Sequence, residues 1–236
     1  MAMNKSLNHA MIDDAQAKRA QEYADNFGKP GYRDPSQMYI EQNYEGYSEE
    51  NQETWQVLFD RQMEYLATNA SNVYLDGAEV IKLSREAIPD LKVINENLWP
   101  KTRWQSKAVP GYLPAKAFFA CLSRREFPTT IVIRPKSSID YLPEPDIFHD
   151  IFGHVPLHAD PIFADFLQTY GQAALKTEDE YHTERLARLF WFTVEFGLIH
   201  EDGRTKLYGS GLISSEGEGH HALESDEVDR RPCNLE

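Results

Sequence analysis

The sequence predicts a single, mainly helical α+β domain, on three observations. Apolar residues recur at helical spacing in several long stretches, one short run is rich in β-branched residues, and one Asp-Gly pair joins two strand-like runs. With 236 residues, 41% of them hydrophobic and 12% aromatic, the chain can close one sizeable core.

Taken in order, residues 1–44 read as a polar N-terminal arm, in which Gly28, Pro30, Gly31 and Pro35 break any helix that begins near Asp13. From Asn51 onward, Trp55, Leu58, Phe59, Met63 and Leu66 fall on one helical face. A second helix is expected from Asp76 to Ile88, stopped by Pro89. The run FPTTIVIR, residues 127–134, reads as a short strand that Arg134 closes. Asp160 followed by Pro161 is the signature of a helix start, and Phe163, Phe166, Leu167 and Tyr170 are expected to face inward from that helix. Another long helix is expected from Asp179 to Phe196, followed by a hairpin turning at Asp202 and Gly203. From residue 216 the chain is acidic (Glu216, Glu218, Glu224, Asp226, Glu227, Asp229 and Glu236 against Arg230 and Arg231) and is expected to be mobile, with 224–236 forming a tail beyond the domain.

Charge and composition exclude several classes of function. The formal net charge of -14 argues against nucleic acid and against an anionic membrane surface as partners. Residues 99–136 nevertheless carry Lys101, Arg103, Lys107, Lys116, Arg124, Arg125, Arg134 and Lys136 against Glu126 alone. Such a cluster can grip a substrate carboxylate, although on charge alone a solvated face is the simpler reading. No run approaches the roughly 18 apolar residues of a membrane span, and the first residues lack the apolar core of a signal peptide. A cytoplasmic protein is expected. Cys121 and Cys233 are too few for a disulfide framework or a thiolate cluster, so any metal here takes nitrogen and oxygen ligands.

The most informative segment is YLPEPDIFHDIFGHVPL, residues 141–157, with His149 and His154 five positions apart on an apolar background. In a regular helix five residues turn the chain through roughly 500°, so the two rings diverge by about 140°. They converge on one ion only if the second lies where the helix ends; Gly153 loosens the backbone there, and Pro156 disfavours helical geometry at Val155. Two core histidines bonded to backbone carbonyls are the alternative. That alternative leaves Glu195 unexplained, since it lies inside the apolar run FWFTVEFGL, where an unpartnered carboxylate is costly. A divalent ion held by His149, His154 and Glu195 resolves all three, as a 2-His-1-carboxylate face open to oxygen chemistry on Fe(II) or as a catalytic zinc site. Ligand identity alone does not choose.

At these residues the chain resembles a known family. PEPDIFHDIFGHVPL, FWFTVEFGL and LYGSGLISSEGE, with VPGYLPAKAFF at 109–119 and IRP at 133–135, look like the catalytic domain of the tetrahydropterin-dependent aromatic amino acid hydroxylases, especially the short bacterial phenylalanine 4-hydroxylases. The likeness runs from about residue 45 to 223, which marks the catalytic domain. It implies a largely helical basket with a small sheet, in which His149, His154 and Glu195 bind iron and are the catalytic residues. A tetrahydropterin would stack on Phe118 and lie against Val109, Gly111 and Leu113, with Asp150, Ala187 and Phe190 nearby. Phe190 stands where the family usually has tyrosine. Arg134 would hold the substrate carboxylate, and Pro145, Trp191, Gly211, Ser214 and Ser215 would line the substrate pocket, with Glu218 in a structural role.

The implied reaction is ring hydroxylation of a free aromatic L-amino acid, most simply L-phenylalanine to L-tyrosine, using Fe(II), O2 and the pterin. Tyrosine or tryptophan as substrate, and another ring position, stay open. So do two other readings: a zinc-dependent hydrolase with the same three ligands and Asp150 or Glu144 as base, and a non-catalytic protein that binds pterin or amino acid. The family's domain normally continues for some tens of residues past Glu236 and adds a tetramerisation helix, so a shortened domain and a monomer or weak dimer are expected.

Overall fold

The computed structural model describes residues 11–140, 144–177 and 179–234; the first ten residues of the expected arm, and Glu236 at the end of the expected tail, lie outside them. Helix α1 (Asp14–Asp25) begins where Asp13 caps it, its carboxylate accepting from the Gln16 N–H at 2.8 Å. Its inward face is Ala17, Ala20 and Ala24, which carry little apolar signal yet permit close packing. Residues 11–44 are therefore no loose arm. Met11 and Ile40 join the main core, while Ala24 and Met38 pack with Val109, Leu113, Ala117 and Cys121 in a second cluster.

Helix α2 (Glu49–Asn69) starts two residues earlier than the apolar period suggests, because Ser48 and Asn51 form a reciprocal capping box. The second helix departs from expectation: α3 spans Asn72–Val80, with Ser71 as its cap. Its end falls at Ile81, followed by Lys82 at φ 56°, so 82–90 is a loop pinned by buried Ile81 and Ile88. Helix α4 (Leu91–Thr102), capped by Asp90, leads into β1 (Gln105–Val109); neither is evident from the sequence. Helix α5 (Ala115–Ser123) connects β1 to β2 (Glu126–Thr130), and the two strands pair in parallel, with Val109 opposite Thr130.

Strand β2 is shorter than expected. It stops at Thr130, and Arg134 lies four residues beyond it in an irregular segment. Among the described residues β2 pairs with Gln105–Val109 alone, so the ladder ends where β1 ends.

The next element is a π-helix, Phe148–His154, which tightens into a 3₁₀ turn over Val155–Ala159. It rests on α2 through aromatic rings. Phe148 and Phe152 stack at 4.4 Å, with Trp55 edge-on to Phe148 at 5.3 Å and Phe59 edge-on to Phe152 at 5.6 Å. Helix α6 (Pro161–Ala174) is capped by Asp160 as expected, and buries Phe163, Leu167 and Tyr170. Phe166, expected inward, is 42% exposed. Helix α7 (Glu180–Phe190) passes directly into a second π-helix, Trp191–Glu195, so the long helix expected over this stretch is α-helical only to Phe190.

The antiparallel hairpin of β3 (Leu198–Glu201) and β4 (Arg204–Leu207) turns at Asp202 and Gly203, both with positive φ. It carries the chain back to its start, where the N–H groups of Tyr208 and Gly209 donate to the Gly197 carbonyl. A short helix α8 (Ser210–Ile213) and helix α9 (Glu216–Glu224) follow, α9 occupying the first part of the stretch expected to be a mobile tail. The result is a mainly helical enclosure with two small two-stranded sheets. No helix among the described residues is long and apolar enough to cross a membrane.

Candidate metal centre and adjoining cleft

Both segments that carry the expected metal ligands are π-helical, and this resolves the five-residue spacing. In a π-helix each N–H reaches the carbonyl five residues back, so residues five apart stand over one another as residues four apart nearly do in an α-helix. His149 and His154 meet on one face, and the π-helix ends at His154, where the 3₁₀ turn takes over. Val155 keeps right-handed helical geometry, φ −64° and ψ −33°, despite the proline after it. The chain tightens there instead of breaking.

The Nε2 atoms of His149 and His154 lie 3.2 Å apart. Glu195 reaches them from the second π-helix, its Oε1 2.9 Å from His154 Nε2 and its Oε2 3.7 Å from His149 Nε2. Ligand atoms about 2.1 Å from a shared ion, roughly at right angles on one face, stand about 3 Å from one another. The three side chains fit such an ion. The tautomer of His149 is fixed for it as well: its Nδ1 lies 2.8 Å from Ser214 Oγ, whose own hydroxyl donates to the Ser210 carbonyl at 2.8 Å. Nδ1 must then carry the proton, which leaves the Nε2 lone pair directed at the shared point.

The electrostatics of the three groups point the same way. Burial, reinforced by His154 alongside, pushes His149 down to about 4, so it is neutral near pH 7. Burial would raise Glu195, but the charge and hydrogen bond of His154, and then His149, hold it at about 2. His154 is raised: burial opposes its charge, and Glu195 outweighs burial. A neutral imidazole, an ionised carboxylate and a proton held between Glu195 and His154 are what a divalent cation would find and displace. Asp150 also places an oxygen close to both histidines. Its carboxylate, however, accepts from the Thr130 N–H at 2.6 Å, and burial raises it to about 7. Glu195 is therefore the better third ligand.

Gly211 packs against Glu195: a Cβ there would come within 3.1 Å of the Glu195 carbonyl oxygen and 3.4 Å of Oε2. A side chain at that position would press on the Glu195 backbone and the Phe196 ring, which would have to give by a few tenths of an ångström.

Arg134 is placed by a residue that the sequence does not single out. Asp146, 1% exposed, accepts from Arg134 Nε at 2.8 Å, from Nη2 at 3.0 Å and from the Arg134 backbone N–H at 3.0 Å. The same carboxylate accepts from the His149 N–H at 3.0 Å, so one buried acid ties the guanidinium to the first metal ligand. An aspartate two residues after Pro-Glu, at the mouth of a π-helix, carries no signal of its own. Arg134, Ser214 and Ser215 line a common cleft of about 220 Å³ with Leu58, Gln62 and Gly217. Pro145, immediately before Asp146, is exposed.

The expected cofactor residues gather at the carboxyl ends of the parallel strands, where open sheets commonly bind ligands. Val109 ends β1 and Thr130, bonded to Asp150, ends β2. Phe118 is edge-on to Phe190 at 5.4 Å, and Phe190 lies face to face with the His154 ring at 6.3 Å. Among the described residues no group accepts from the backbone N–H of Gly111, Tyr112 or Leu113, which leaves those donors for a flat heterocycle beside Phe118. A Cβ at Gly111 would meet nothing within 4 Å. Ala187 is exposed one turn before Phe190, and Trp191, 56% exposed, stands 4.8 Å from Phe196 at the rim.

The family profile described as biopterin-dependent aromatic amino acid hydroxylase matches residues 6–235. The chain is similar to the phenylalanine-4-hydroxylase of Ralstonia nicotianae, 44% identical over 191 residues that make up 81% of this chain and 61% of the relative. Against the phenylalanine-4-hydroxylase of Chromobacterium violaceum it is 39% identical over 197 residues, 84% of this chain and 66% of the relative. It thus spans somewhat under two thirds of these relatives' length. Its fold is similar to a crystal structure of the Chromobacterium violaceum phenylalanine hydroxylase with bound iron(III) and 7,8-dihydrobiopterin, at a TM-score of 0.79 and 37% identity, covering 91% of this chain and 75% of that one. With the family profile matched along almost its whole length, around a face of two histidines and a glutamate, the chain belongs to the biopterin-dependent aromatic amino acid hydroxylase family.

Proposed function

We propose that this chain is an iron- and tetrahydropterin-dependent monooxygenase that hydroxylates the ring of free L-phenylalanine to give L-tyrosine. The observation that carries the reading is the convergence of His149, His154 and Glu195 within 2.9–3.7 Å on one face, with Arg134 held in a cleft alongside. Both relatives named above are phenylalanine-4-hydroxylases, which favours phenylalanine over the other aromatic amino acids.

When bound, iron with dioxygen and the reduced pterin supplies the oxidising chemistry, one oxygen atom going to the ring and the other leaving with the pterin. The protein's own residues do the rest. His149, His154 and Glu195 would hold the metal by one facial set of three protein ligands, an arrangement suited to oxygen chemistry. Ser214 keeps the His149 proton on Nδ1, so that Nε2 stays a ligand. Phe118 and Phe190 offer faces for the pterin ring, and the N–H groups of 111–113 offer donors to its polar edge. Arg134 takes the substrate carboxylate: of the five N–H donors of a guanidinium, three are used by Asp146 and the Ile139 carbonyl, leaving one on each terminal nitrogen as a matched pair. Trp191 and Phe196 form an apolar wall for the aromatic ring.

We place the protein in the cytoplasm as a monomer or weak dimer; both cysteines are free thiols, in keeping with a reducing compartment. The test is anaerobic loading with Fe(II), then addition of L-phenylalanine, a tetrahydropterin and oxygen, with products separated chromatographically. Tyrosine formed in proportion to pterin oxidised supports the reading. A chain that prefers zinc and cleaves amides without oxygen or pterin refutes it, as does one that binds phenylalanine or pterin but gives no product.

A further inference from the structure

Helix α2 contributes a polar group to the Arg134 cleft that no interaction within the protein explains. Gln62 is 3% exposed and lines the cleft, yet its amide makes no hydrogen bond with any described residue. The amide is not sealed from the cleft, so a group bound there, a ligand or water, is what completes it. The other acceptors along the described walls are committed or turned outward. Asp140 pairs with Arg61 at 2.8 Å, Ser214 is bonded to both His149 and Ser210, and Glu216 is exposed at the first turn of α9.

We propose that Gln62 is the specificity-determining residue for the substrate's α-ammonium group, its Oε1 accepting an N–H while Arg134 holds the adjacent carboxylate. This rests on the reading of the cleft as an amino-acid site. An α-amino acid presents the two charges one carbon apart, so a guanidinium with two spare N–H groups and a neutral amide acceptor lining the same cleft match its head. Arylalkanoic acids, which lack the ammonium, leave Gln62 unsatisfied and are discriminated against.

The test is calorimetric titration of the full chain, and of its Gln62→Met and Gln62→Glu variants, with L-phenylalanine and with 3-phenylpropanoate. Gln62→Met keeps the shape and removes the acceptor. It is expected to weaken L-phenylalanine about tenfold while leaving 3-phenylpropanoate within about twofold, a selectivity change that a merely structural role would not produce. Gln62→Glu, which retains an acceptor, is expected to keep the preference for the ammonium-bearing ligand. Equal weakening of both ligands by Gln62→Met, no weakening of L-phenylalanine, or a loss in Gln62→Glu as large as in Gln62→Met would each overturn the assignment. If the unaltered chain binds neither compound, the amino-acid reading of the cleft falls with it; if it binds L-phenylalanine and the variants show no change in selectivity, only the role of Gln62 falls.

Discussion

Asp146→Asn should damage both the fold and the substrate cleft, because one carboxylate serves both. Asp146 accepts four hydrogen bonds, three from Arg134 and one from the His149 N–H, with Asp146 1% and the Arg134 side chain 11% exposed. Asparagine keeps one acceptor oxygen and presents an NH2 where the other stood, so two of the four contacts become donor facing donor. It also leaves the guanidinium without its counter-charge. Removing one partner of a buried ion pair costs about 3–5 kcal/mol; because Arg134 opens onto the cleft and water can reach it, the lower end, about 3 kcal/mol, is expected here. That is a large part of the roughly 5–15 kcal/mol by which a domain is stable. Urea unfolding at neutral pH, with the slope unchanged, would measure it. Affinity for L-phenylalanine should fall at least tenfold, since Arg134 loses the bonds that aim it. A loss below about 1 kcal/mol with phenylalanine affinity within twofold of the unaltered chain would refute the assignment of Asp146 as the anchor of Arg134.

Three other outcomes are expected. Ser214→Ala should lower affinity for Co(II) or Fe(II) about 10- to 100-fold in chelator competition, because His149 loses the partner that fixes its tautomer; an unchanged affinity would show that the ring is oriented by packing alone. His158 is buried with neither ring nitrogen bonded, and burial, then His154, pushes it down to about 3. Its folded-state value lies below the unfolded one of 6.5, so the unfolded chain binds the extra proton and stability falls as pH drops from about 6.5 towards 3. His158→Leu should remove that part of the acid sensitivity, about 2 kcal/mol at pH 5, and denaturant titrations of both proteins at pH 5 and pH 7.5 would show no change in the difference if the assignment is wrong. Finally, burial pushes the Cys121 thiol up to about 12, whereas Cys233 is exposed. At pH 8 a thiol reagent should therefore label one cysteine quickly in the native chain and two in denaturant; rapid labelling of both without denaturant would contradict the packing of Cys121 beside Tyr39.

What the sequence makes legible here depends on how far a signal lies from the chemistry it reports. Caps and turns are local, and Asp13, Asp160 and the Asp202–Gly203 turn all sit where their residue types place them. Element ends set by a partner are not local. Strand β2 stops because β1 stops, and α3 ends at Ile81 because Ile81 and Ile88 must both be buried, neither of which shows in the window of residues concerned. Residues 11–44 look like part of an arm because their inward face is largely alanine and methionine, not a stripe of large side chains. Asp146 and Gln62 are a third kind: ordinary polar residues whose meaning comes only from what surrounds them.

The two histidines show how a local geometry read only in part can still lead to the right chemical question. The five-residue spacing is incompatible with a shared face on an α-helix, and an ended helix is one way to relieve the conflict. The structure relieves it by widening the turn, and does so again at Trp191–Glu195 on the opposite wall. A π-turn forfeits regular α-helical hydrogen bonding, so it persists only where surrounding packing fixes it. Here Phe148 and Phe152 are held against Trp55 and Phe59, and the Tyr208 and Gly209 N–H groups close the hairpin onto Gly197 just past Glu195. The aromatic floor under the first π-helix therefore belongs to the metal site. Trimming Phe152 to leucine should loosen the His149–His154 geometry and weaken Co(II) binding by more than its effect on global stability explains. Metal affinity unchanged at matched stability would show that the ligands, not the floor, hold the turn open.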